Sequence, residues 1–147
     1  MYSGGEICSI TLCQKSRVVK MKWKEEFATG IAEIDQQHKT LFEASENFRE
    51  VLEYGCSFET YDGFLEFLTM YIETHFGYEE ECMHAAQCPI ACENKKEHVL
   101  FMDLVNKEVR IFQKSGLDAQ RVFNLLDTLD NWLASHIARI DVQLRAA

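Results

Sequence analysis

ETYDGFLEFLTMYIETHFGYEEECM, residues 59–83, decides the fold. Its apolar residues Phe64, Leu65, Phe67, Leu68, Tyr71, Ile72, Phe76 and Met83 recur mostly three and four apart, as on one face of an α-helix and unlike the alternation of a strand. The pattern lasts roughly seven turns. It ends before Pro89, whose ring disfavours helical backbone in the residue ahead of it. A long helix with one apolar face has to lay that face on other elements.

Working outward, residues 35–54 repeat the helical spacing through Leu41, Phe42, Ala44, Phe48, Val51 and Leu52, and Gly55 follows as a stop signal. Beyond Pro89 a third helix is expected to carry Val99, Leu100, Met102, Leu104, Val105, Val109 and Phe112 and to stop at Gly116. Asp118 can cap a fourth, with Val122, Phe123, Leu125, Leu126, Leu129, Trp132, Leu133, Ile137 and Ile140 on its inner side. Four helices with short connections predict an all-α, up-down-up-down four-helix bundle over residues 21–147. Residues 1–20 show no sustained apolar periodicity and are expected to form a flexible N-terminal extension.

Composition agrees. The chain has 147 residues, 47% of them hydrophobic, enough for one domain with a sizeable core. A single proline and seven glycines are too few for a turn-rich β architecture. The net charge is −9, yet Lys15, Arg17, Lys20, Lys22 and Lys24 face only Glu6 among the first 24 residues, which leaves −13 on the rest. An acidic body repels phosphate backbones, so no nucleic-acid partner is expected. No apolar run approaches the roughly 20 residues of a membrane span, and the leader has no apolar core of the secretory kind. A cytoplasmic protein with six reduced cysteines is the expectation.

The informative residues are polar ones inside the apolar pattern: His38 in the first helix, His75 and Glu79 in the second, His98 in the third, His136 and Asp141 in the fourth. His75 and Glu79 stand one turn apart on one face, and His136 and Asp141 are similarly aligned. Burying several imidazoles and two carboxylates together is unfavourable unless a cation accepts their lone pairs. Imidazole with carboxylate suits iron, zinc or manganese, and carboxylates from two helices can bridge a pair of ions. Cys82 returns to nearly the face of His75, where a small buried core residue is the first expectation; with Cys88 and Cys92 it makes a candidate set of redox thiols. His84, nine residues beyond His75, falls on the opposite face and is expected at the surface.

The strings TGIAEIDQQHKTLF (29–42), HFGYEEECM (75–83), CP (88–89), EHVLF (97–101) and WLASHIARID (132–141) closely resemble bacterial hemerythrins. The resemblance implies a non-haem centre of two irons with a bridging oxo or hydroxo group, binding dioxygen reversibly as a peroxide at the iron that has fewer histidines. By position, it makes His38 and His75 ligands of the oxygen-binding iron, Glu79 and Asp141 bridges, and His98 and His136 ligands of the other iron. Trp132, Leu133 and Ile137 take the place of the apolar wall of the oxygen pocket.

One position departs from that pattern: Asn94 stands where the family carries a further ligand histidine, four residues before His98. An amide oxygen is a weak, hard ligand, so this position either binds through Asn94, takes water or loses its ion, leaving a one-iron site. An oxygen carrier, store or sensor is the leading expectation, ahead of an enzyme. The alternatives are an iron-dependent enzyme acting on oxygen, peroxide or nitric oxide at an under-coordinated site, and a regulatory module responding to redox state or metal.

Overall fold

A computed structural model describes residues 21–147; the expected N-terminal extension, residues 1–20, lies outside the described residues. Four helices follow one another: α1 (Ala32–Tyr54), α2 (Phe58–Ala85), α3 (Ala91–Ser115) and α4 (Ala119–Arg139). Short 3-10 segments flank them at Glu25–Phe27 and Asp141–Ala146. The helices form an all-α four-helix bundle in which α2 packs on α3, α1 on α4 and α1 on α2.

The ends of the helices are written locally. Ser57 accepts a hydrogen bond from the Thr60 amide and Asp118 one from the Arg121 amide, so α2 and α4 start on side-chain caps. Gly55 and Gly116, with φ of 106° and 80°, take positive backbone angles that end α1 and α3. α1 begins three residues earlier than its apolar pattern suggests. Asp35 reaches back from its first turn to the amide and hydroxyl of Thr29, at 2.6 and 2.9 Å, and so holds the incoming chain.

The core has two parts. The larger runs along the bundle through Leu41, Phe48, Leu65, Leu68, Ile72, Val105, Leu126, Leu129 and Ile137. The smaller joins Ile34, Met83, Cys88, Ile140 and Leu144. Ile34 lies four residues before His38, Met83 four after Glu79, and Ile140 four after His136. On helices this puts the small cluster about one turn, roughly 6 Å, beyond those polar residues. It closes that end of the bundle.

Not every apolar residue of the pattern is buried. Val99, Leu100, Leu104 and Phe67 are exposed. The buried stripe of α3 is Asn94, His98, Phe101, Val105 and Phe112. Each of the three exposed α3 residues sits next in sequence to one of these, about 100° around the helix from the inner face.

Candidate metal centre

Near the closed end, all four helices and the C-terminal segment turn polar side chains inward. His38, Glu79, Asn94 and Asp141 are fully buried, and His75, His98 and His136 nearly so. His75 and Glu79 occupy successive turns of α2, Asn94 and His98 successive turns of α3, and His38 lies on α1. Asp141 corrects the sequence reading. It does not belong to the fourth helix, which ends at Arg139, but opens the following 3-10 segment. Five residues on an ideal helix separate two side chains by about 140°, so His136 and Asp141 meet because the chain leaves the α-helix after the bond from Ile140 N–H to the His136 carbonyl.

The two carboxylates each face two ways. Oε2 of Glu79 is 3.4 Å from Nε2 of His38 and 3.7 Å from Nε2 of His75, while its Oε1 is 3.2 Å from Nε2 of His98. Asp141 does the same, with Oδ2 3.3 Å from His38 Nε2 and Oδ1 3.1 Å from His136 Nε2. Nε2 of His38 and of His75 are 3.1 Å apart. Oδ1 of Asn94 is 2.8 Å from His136 Nε2. Two donor sets emerge: His38 and His75 with one oxygen from each carboxylate, and His98, His136 and Asn94 with the other oxygens. Neighbouring ligands of an octahedral ion with bonds of roughly 2.1 Å stand about 3 Å apart, close to these spacings.

Proton positions sharpen the point. Nδ1 of His98 lies 3.0 Å from Glu80 Oε1, Nδ1 of His136 2.6 Å from Glu97 Oε2, and Nδ1 of His75 2.7 Å from Gln37 Oε1. Carboxylate and carbonyl oxygens only accept, so each Nδ1 donates, and Nε2 is the nitrogen turned inward, offering a lone pair whenever the ring is neutral. Both oxygens of Glu79 and of Asp141, and Nε2 of His98, are buried without a hydrogen-bond partner. Among the described residues no lysine or arginine pairs with either carboxylate. A cage of inward lone pairs with no cation of its own fits one or two divalent or trivalent ions.

In the metal-free chain, protons compete for this place. Burial works against charge on His38, but the carboxylates of Asp141 and Glu79 outweigh it and push its pKa up to about 9. His75 is pushed down to about 4, chiefly by burial. Burial would raise Glu79, yet the imidazoles of His38, His98 and His75 close beside it hold it well below the usual carboxylate range. His136 is raised by Asp141 and Glu97 against the opposing effect of burial.

The other residues singled out in the sequence divide. Trp132 stacks on His136 (4.3 Å, 13°) and on Phe101 (4.2 Å), and so flanks the second donor set. Phe76 stacks on His98 at 3.7 Å. Leu133 and Ile137 are buried in the larger core. Cys82 packs partly buried against the small cluster that contains Cys88, and Cys92 is exposed; all three are free thiols. His84 is exposed.

Sequence reasoning missed Gln37, Glu80 and Glu97 as partners of the histidines. Each stands next in sequence to a ligand candidate, about 100° around its helix, where it points into the seam with a neighbour. Each then reaches a histidine of the next helix: Gln37 on α1 to His75 on α2, Glu80 on α2 to His98 on α3, Glu97 on α3 to His136 on α4. That adjacency was the available signal.

Fold and cage together define a four-helix bundle built to bind a cation inside its core. The family model of the hemerythrin HHE cation-binding domain matches residues 29–145, and the chain belongs to this hemerythrin family. It is 30% identical over 125 residues to a bacteriohemerythrin of Clostridium acetobutylicum, covering 81% of this chain and 94% of that one. It is 31% identical over 119 residues to a bacteriohemerythrin of Pseudomonas aeruginosa, covering 81% of this chain and 75% of the relative. A bacteriohemerythrin of Stenotrophomonas maltophilia is 30% identical over 115 residues. No described helix is long and apolar enough to cross a membrane.

Proposed function

We propose that this chain is a non-haem di-iron protein that binds dioxygen reversibly, as a carrier, store or sensor. The observation that carries the reading is that Glu79 and Asp141 each present one oxygen to His38 and the other to a histidine of the second set, as carboxylates shared by two ions do. Family membership supports iron as the metal. A pair of ferrous ions would supply the electrons that dioxygen accepts on binding and returns on release.

The chain's own residues do the rest. His38 and His75 would hold the first ion with fewer protein donors than the second set offers, which would leave room there for dioxygen. His98, His136 and Asn94 would hold the other. Trp132, Leu133 and Ile137 form the apolar wall that keeps water and protons away from the bound molecule. Residues 21–147 are the functional unit, with residues 1–20 an appendage. The free cysteines fit a reducing compartment such as the cytoplasm.

Iron content per chain, read with the optical spectrum before and after removing oxygen, tests this. About two irons with a visible band that comes and goes with oxygen is the expected result. Two irons with steady consumption of oxygen, peroxide or nitric oxide would instead make the protein an enzyme. An iron-free preparation that cannot be loaded would reject the reading.

A further inference from the structure

The two donor sets are backed differently from outside. In the second set, His98 donates its Nδ1 proton to Glu80 and His136 its own to Glu97, so both imidazoles lean on carboxylates. Glu97 is held in turn by two bonds from Arg139, at 3.0 and 3.1 Å. In the first set, His75 leans on the neutral amide of Gln37, and Nδ1 of His38 is buried with no partner at all. The chain of helix-to-helix supports that runs α1 to α2 to α3 to α4 is therefore not continued from α4 back to α1.

A carboxylate that accepts the Nδ1 proton makes the imidazole a stronger donor to a metal and fixes the ring's direction. A neutral amide fixes direction with less polarisation. An imidazole whose Nδ1 has no acceptor gains neither. The second set also has Asn94 Oδ1, 2.8 Å from His136 Nε2, which the first set does not match.

We propose that the two positions fill in order, the His98 and His136 position first and more tightly, with Glu80 and Glu97 as the positioning residues that set the order. This rests on the two-ion reading above and adds to it a regulation: at limiting metal the chain holds one ion, and only the second, looser ion completes the oxygen site at His38 and His75.

The test withdraws ferrous iron from the loaded full-length chain, without oxygen, with graded amounts of a chelator, and counts the ions left. Wild type should lose its ions in two separate steps. Glu97→Gln keeps an oxygen to accept the His136 proton but removes the charge. It should weaken the tighter step by about 10- to 100-fold and leave the looser one in place, as should Glu80→Gln. Gln37→Leu should weaken only the looser step. Thermal midpoints of the metal-free variants separate this from a folding defect, which would move both steps. Loss of both ions in one step from wild type, or a shift of the looser step in Glu97→Gln, overturns the order while leaving the two-ion reading intact. A wild-type chain that never holds more than one ion overturns both.

Discussion

The bundle buries carboxylates in two places and treats them in opposite ways. Midway along the bundle, Asp130 lies 2.9 Å from Nη2 of Arg49, which also pairs with Asp127 at 2.8 Å. Arg49 and Asp130 are both buried, and Ser45 shares the interior surface with them. That polar island carries its own cation. At the closed end, Glu79 and Asp141 are more deeply buried and face only imidazoles and each other's partners. An internal arginine makes a structural pair; the lack of one, among inward lone pairs, makes a place for an ion from solution.

The largest effect that would break this contrast comes from Glu79→Ala. It removes an oxygen from each donor set, and metal analysis should find both ions lost. If the variant keeps two ions, the carboxylate is not shared.

Next, Arg49→Met strands Asp130 as an unpaired buried carboxylate, and chemical denaturation should show a loss of about 3–5 kcal/mol with metal content unchanged. The double change Arg49→Met with Asp130→Leu sharpens the comparison. It removes the charges together and should recover most of that loss. At the cage, replacing Glu79 and Asp141 by apolar residues should abolish metal binding, which metal analysis would read directly.

A smaller effect is expected in the pH dependence of the metal-free chain. His75, lowered to about 4, stays neutral in the folded state while the unfolded chain takes up a proton below its ordinary value near 6.5. Stability is therefore lost as pH falls from about 6.5 towards 4. His38, raised to about 9, contributes stability that is complete below the ordinary value and disappears as pH rises through about 9. The thermal midpoint of the metal-free chain should peak near pH 6.5 and fall on both sides; a midpoint that climbs steadily to pH 9 would contradict the His38 assignment.

Much of this was legible in the sequence because a period of 3.6 residues writes both the apolar stripe and any polar residue set into it. The inward places of His38, His75, Glu79 and His98 follow from that period alone. Asp141 was legible as a member of the cage but not as a residue outside the helix, since the departure from α geometry after Arg139 depends on how the following segment packs through Ile140 and Leu144. The exposure of Val99 and Leu100 was hidden because hydrophobicity does not say which of two adjacent apolar residues the neighbouring helix will cover. The supporting places of Glu80 and Glu97 were hidden because their partners are on other helices, and no one-dimensional period encodes a seam.

The central claim is that the closed end lacks a cation of its own and takes two. The most direct measurement is the thermal midpoint of the metal-free full-length chain on adding ferrous iron without oxygen, with bound ions counted alongside. The account predicts two ions per chain and a rise on the order of 10 °C for each ion at a hundredfold excess over its Kd. An unchanged midpoint with no bound iron would mean that the buried carboxylates are satisfied by protons alone, and would contradict it.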